Sequence, residues 1–324
     1  MGLYTSPLSL SYLDPSGLKR DILAGIDGTG SYQWLGEPGE ANSTWTQTPF
    51  AQTTVENRWL SHVRNFVEDY DGIRKHFHGP SGLHYGINQM FGANGAAITD
   101  RVYNWICEEF CNSIDSASRQ TDCQGDLPNI DIVGHSRGGV IAVDVAWLLK
   151  TRGCKCMYHW FPKHYRPVPV RFLGLYDPVD MGVSMGNRDD IEGYKPGVIP
   201  SNVSYSARVT ADTFQPWWHS YPVKSRHTWH RPAYDNATWT LPVTGTHSAL
   251  GGAPTFDTKQ GWLAPYYSHE RDIQGAILAD EFIRVYAQSV GVPIKSWGVK
   301  YDYDNMPPLK PKGDPWAGPT LGGK

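Results

Sequence analysis

Gly134-His135-Ser136-Arg137-Gly138 sets a hydroxyl between two glycines, in the pattern Gly-X-Ser-X-Gly. A serine is a weak nucleophile at its ordinary pKa and does chemistry only where a neighbouring base takes its proton. The pattern has meaning when a strand precedes it and a helix follows. The sharp turn between them then holds the hydroxyl above the sheet edge in strained backbone geometry, and the glycines leave room for the adjoining chain. That setting is present: Asn129-Ile130-Asp131-Ile132-Val133 reads as a strand, and residues 140–149 read as an apolar helix whose N-terminus favours developing negative charge. Ser136 is the candidate nucleophile.

A serine in such a turn needs a histidine base and an acid that orients it, in the chain order Ser, Asp, His for the α/β-hydrolase arrangement. Asp177 directly follows the apolar run Phe172-Leu173-Gly174-Leu175-Tyr176, so its carboxylate is expected at the same sheet edge as the serine. Asp212, at the end of a strand expected over residues 202–210, is the alternative acid; either also reads as a turn aspartate capping a loop. The histidines beyond the acid are His219, His227, His230, His247 and His269. Of these, His247 lies in Gly245-Thr246-His247-Ser248-Ala249-Leu250-Gly251-Gly252, where the glycines imply close backbone approach, and His269 is the fallback. The expected chemistry is acyl transfer without metal or organic cofactor. Backbone N–H groups of Arg137 and of Gly28 or Thr29 are the candidate oxyanion donors. Asp27-Gly28-Thr29 after a strand also opens the haloacid dehalogenase phosphatases, but that motif needs a second aspartate two residues earlier, and Gly25 stands there.

Positioning these groups calls for alternating strands and helices. Strands are expected at residues 22–26, 73–78, 129–133, 168–176 and 202–210. Helices are expected at 55–67, 98–111 and 140–149, and a last one at 272–288 with Ile273, Ile277, Phe282 and Val285 inward. This alternation predicts an α/β fold with a mostly parallel central sheet covered on both faces. One domain is expected over residues 1–295, with a Trp-, Pro- and Gly-rich cap-like insertion at about 182–244 and a loop-rich tail at 296–324. Trp217, Trp218, Trp229 and Trp239 crowd that insertion and either cover the core or line an apolar cleft.

Composition removes several other classes. With 40% hydrophobic and 19% charged residues in 324, the chain can bury a sizeable core. A formal charge of −3 gives no footprint for nucleic acid. No apolar run approaches the roughly 18 residues of a membrane span, and the start lacks a signal peptide, so the protein is expected to be soluble and cytoplasmic as synthesised. Five cysteines (Cys107, Cys111, Cys123, Cys154, Cys156) without secretory context argue for buried thiols rather than disulfides, and the sequons at Asn42, Asn202 and Asn236 carry no weight in that setting.

Four motifs, Ile26-Asp27-Gly28-Thr29-Gly30, Gly134-His135-Ser136-Arg137-Gly138-Gly139, Leu173-Gly174-Leu175-Tyr176-Asp177-Pro178-Val179 and Gly245-Thr246-His247-Ser248, occur in an order that resembles the type VI secretion lipase effectors and their related α/β-hydrolase domains. The resemblance spans residues 22–252. It implies a phospholipase or esterase, with Ser136, Asp177 and His247 as the triad. It further implies a lipid or ester substrate met at a membrane surface, export by a type VI system, and a secretion-machinery or immunity protein as partner. Two other readings stay open: a hydrolase fold kept as a binding protein with vestigial residues, and an esterase of small soluble esters.

Overall fold

The computed structural model describes residues 21–28, 61–79, 95–118, 127–158, 161–179, 190–211, 234–245, 247–252 and 269–295. Six strands form one wholly parallel sheet: β1 (Ile22–Ile26), β2 (Ile73–Phe77), β3 (Ile130–His135), β6 (Val170–Tyr176), β7 (Val203–Ala211) and β8 (Trp239–Val243), in the order β2-β1-β3-β6-β7-β8. Strands β1, β3 and β6 read as near-continuous apolar runs because helices cover both faces. Helices α1 (His62–Asp69) and α5 (His269–Ser289) pack Val63, Phe66, Ala279 and Ile283 against Leu23, Val133 and Phe172 on one face. On the other, α2 (Gly95–Ser118) and α3 (Arg137–Thr151) bury Val102, Ile106, Val140 and Leu148 against Ile22, Ile132 and Leu175. A four-residue helix, α4 (His247–Leu250), follows β8. No helix among the described residues is long and apolar enough to cross a membrane.

The fold is the α/β-hydrolase-like arrangement that the sequence predicts. From β1 the chain passes to β2 on one side and then returns to β3 on the other, so the strand order reverses between β1 and β3. Ligand sites of open parallel sheets lie at the carboxyl ends of the strands flanking such a reversal. The turns carrying Gly28 and Ser136 leave those two ends.

Several expectations need correction. Within the insertion expected over residues 182–244, the strand expected at 202–210 forms as β7, and a further strand, β8, joins the central sheet beside it, while residues 180–189 and 212–233 lie outside the described residues. Strand β8 escapes a sequence reading because its Pro242 argues against a strand, and it is tolerated here because β8 is an edge. Trp239 opens no cleft; it stacks on Tyr286 of α5 at 4.3 Å and on Tyr205 at 5.8 Å. Trp217, Trp218 and Trp229, and the tail 296–324, are outside the described residues. In α5, Ile277 and Phe282 are buried as expected, but Val285 is 44% exposed, since it falls off the stripe that Ile283 and Ala287 continue.

The cysteines are the largest departure. Cys107 pairs with Cys154 and Cys111 with Cys156, each with Cα atoms 5.2 Å apart. Cys107 and Cys111 are one helical turn apart on α2. Cys154 and Cys156 alternate with exposed Lys155 on β4 (Cys154–Tyr158), which forms an antiparallel hairpin with β5 (Phe161–Tyr165). The two spacings therefore face each other as matching rungs. The expectation of thiols rests on compartment alone, and cysteine spacing carries no sign of the hairpin that brings the second pair to the helix. Cys123 lies outside the described residues. The Asn202 and Asn236 side-chain amides are internal donors, to Ala146 and Val168 and to Ile199 respectively, so neither offers a glycan acceptor.

Candidate active site

The serine turn is built by sterics. Ser136 sits between β3 and α3 at φ 55°, a left-handed conformation that costs a non-glycine residue about 1–3 kcal/mol. Backbone bonds hold it there: its N–H donates to the Tyr176 carbonyl at 3.0 Å, and its own carbonyl accepts from Gly139 and Val179. Both flanking glycines are required. A Cβ on Gly134 would stand 2.4 Å from the Gly138 carbonyl oxygen, and one on Gly138 would stand 2.2 Å from that of Ile26. The pattern Gly-X-Ser-X-Gly is thus the footprint of β1, β3 and α3 crowding one point.

Asp177 leaves the end of β6, the neighbour of β3, with φ 41° and no exposure. Its backbone N–H donates to Val209, and its carboxylate accepts the Ala211 N–H through Oδ1 at 3.1 Å. The other oxygen, Oδ2, lies 2.7 Å from His247 Nδ1. His247 Nε2 in turn lies 2.7 Å from Ser136 Oγ. A carboxylate can only accept, so Nδ1 carries the proton and Nε2 presents a lone pair to the hydroxyl. Three side chains at positions 136, 177 and 247 thereby form one unbroken hydrogen-bonded chain at the carboxyl edge of the sheet. This is the arrangement in which a serine can be deprotonated at the moment of attack.

The other expected residues divide. Arg137 is the first residue of α3, fully buried, so its backbone N–H belongs to the helix N-terminus beside the hydroxyl. Gly28 packs against the turn so tightly that a Cβ there would meet the Ser136 Cβ at 2.8 Å. Thr29 and Asp212 lie outside the described residues, as does the side chain of His269.

One residue has no role in the sequence reading: His135, the X before the serine. Its ring leans on His247 with centroids 4.9 Å apart, and its Nε2 donates to the His247 backbone carbonyl at 3.1 Å. Gly251 makes room, since a Cβ there would lie 2.3–2.6 Å from three atoms of the His135 ring. Desolvation, reinforced by the adjacent His247 imidazole, pushes His135 down to about 3, which keeps it neutral and able to pack under the His247 ring. The signal for it was the glycine pair after His247, which marks close approach without naming the partner.

No protein-family model matches the chain, and no curated protein matches it either. Solved structures similar to it include an uncharacterised protein from Pseudomonas aeruginosa, 15% identical, with a TM-score of 0.48 over 87% of this chain and 48% of that one. Another is the Tle1 effector bound to the VgrG spike of the type 6 secretion system, also 15% identical, with a TM-score of 0.34 over 74% of this chain and 52% of its own. The chain thus spans about half the length of either structure. Likenesses this remote carry no statement about chemistry.

Proposed function

We propose that the chain is a serine hydrolase that cleaves carboxylic esters through an acyl-enzyme. The single observation that carries this is the hydrogen-bonded run Ser136–His247–Asp177, with 2.7 Å at both links. His247 Nε2 takes the Ser136 proton as Oγ attacks the ester carbonyl. The tetrahedral oxyanion is held by backbone N–H groups at the α3 N-terminus and the Gly28 turn, Arg137 and Gly28 or Thr29 being the assigned donors. The imidazolium returns its proton to the departing alkoxide, leaving an acyl group on Oγ. Water, deprotonated by the same imidazole, then releases the acid and restores the serine. Asp177 fixes the tautomer and balances the positive ring.

The finer assignment is to lipids or phospholipids, and it rests on the motif resemblance to the type VI lipase effectors. The two disulfides support a working site in an oxidising compartment, in keeping with export from the cell that makes the chain. A secretion-machinery or immunity partner and contact with a membrane surface belong to the same proposal. The test is Ser136→Ala with acetyl to palmitoyl p-nitrophenyl esters and phospholipid vesicles, alongside labelling by a fluorophosphonate. The wild type labels at Ser136 and turns over, and the variant, with an unchanged circular dichroism spectrum, does neither. Turnover by the folded variant, or failure of the wild type to label, overturns the assignment.

A further inference from the structure

A second cluster of chemistry-bearing side chains lies where β1 and β2 end, and β2 flanks β1 on the side away from the strand that leads to Ser136. Asp27, the residue after β1, is buried. Its backbone N–H donates to the carbonyl of Phe77, the last residue of β2, at 3.0 Å, which continues the parallel ladder past the end of β1. His76 and His78 are two apart on β2 and its extension, so both rings fall on one face. Gly25, paired with His76, faces Val63 and Val67 of α1, and Asp27, two residues on, shares that face. One ligand atom from each of Asp27, His76 and His78 lies within 4.8 Å of the others.

We propose that Asp27, His76 and His78 form a binding site for a zinc-class divalent cation. Two imidazole nitrogens and one carboxylate oxygen are a donor set that borderline transition metals favour. Ligands about 2.1 Å from a tetrahedral ion stand about 3.4 Å from one another. The His76 Nε2 to Asp27 Oδ2 separation of 2.7 Å and the 4.8 Å outer limit bracket that spacing, so small side-chain rotations close the site. The carboxylate is already aimed. Ser61, the N-cap of α1, donates to Asp27 Oδ1 at 2.7 Å and leaves Oδ2 toward the histidines, the kind of outer hydrogen bond that orients metal-binding carboxylates. His78 is exposed, which admits the ion and a water as fourth ligand. A bound cation would tie the end of β2 to the turn that carries Gly28. The expectation of no metal concerns the acyl-transfer chemistry; this cluster is hidden in the sequence, since Asp27 lies 49 residues from His76 and the β1–β2 pairing joins them.

The experiment is calorimetric titration of the chelator-stripped full chain with zinc chloride, repeated with cobalt chloride and read by visible absorption. One equivalent binds with a Kd below about 10 μM. The cobalt spectrum shows ligand-field bands without sulfur charge transfer, which separates this site from reduced cysteines. His78→Ala, at an exposed position, weakens that equivalent by at least about 100-fold, and Ser61→Ala weakens it by about 10- to 100-fold. His247→Ala retains it. Absence of the equivalent, its full retention in His78→Ala, or its loss in His247→Ala overturns the site. None of these readouts needs turnover, so the outcome is independent of the hydrolase proposal.

Discussion

The two disulfides should stabilise the protein in a strongly non-additive way, and the structure says by how much. A cross-link between residues 47 apart, as in Cys107–Cys154, removes loop entropy worth about 4 kcal/mol at room temperature. Alone, the Cys111–Cys156 bridge, 45 apart, removes a similar amount. Once either is closed, however, the other completes only a small ring, four residues along α2 and two along β4. A ring of about six residues is worth about 2 kcal/mol by the same relation. Deleting one bridge as a Cys-to-Ala pair should therefore cost about 2 kcal/mol, whereas deleting both should cost about 6, comparable to the whole stability of many domains. The assay is guanidinium unfolding followed by tryptophan fluorescence for the parent, each pair variant and the four-cysteine variant, with peptide mapping of the native bridges. In native buffer the single-pair variants should hydrolyse esters as the parent does, since none of the four cysteines touches Ser136, Asp177 or His247. Two costs of about 4 kcal/mol that simply add would refute the shared-ring reasoning, and free thiols at these positions would refute the bridges themselves.

Asp177→Asn should lower kcat for esters by a factor on the order of 10⁴. With Oδ1 kept on the Ala211 N–H, the amide NH2 faces His247 Nδ1 as a donor and drives the ring proton to Nε2; a loss below tenfold would move the acid to Asp212. Gly251→Ala forces a Cβ to within 2.3 Å of the His135 ring, which must shift the base it supports. The expected result is a loss on the order of 10² in kcat with a native circular dichroism spectrum, since small misplacements of reacting groups cost that much; unaltered kcat would show that the His135 contact positions nothing. His135 also sets an acid limit. Its folded pKa is about 3 against about 6.5 in the unfolded chain, so its contribution is intact above pH 6.5 and is lost as pH falls toward 3. The slope is at most about 1.4 kcal/mol per pH unit. An NMR titration in which the His135 ring protonates near pH 6.5 in the folded protein would dismiss this.

How legible the site was depended on how local its causes are. The strand, sharp turn and helix around Ser136 are written in ten consecutive residues, because glycines at 134 and 138 are the only ones that fit between β1, β3 and α3. Asp177 was legible for a similar reason: an apolar run followed by an aspartate marks the end of a buried strand. The choice of His247 among five downstream histidines leaned on neighbouring glycines, whose meaning is close approach. What those glycines approach, His135, could only come from the folded chain. The cysteine rungs and the Asp27–His76–His78 cluster were illegible because each joins spacings on separate elements, i and i+4 on α2 with i and i+2 on β4, or residues on two strands paired in register. Likewise β8 contradicted its own proline until the sheet order made it an edge. Sequence alone determined which chemical groups stand at strand ends, since burial and turn sterics act over a few residues. Tertiary structure alone decided which of those ends meet, since strand order and helix docking are set by packing across the whole sheet.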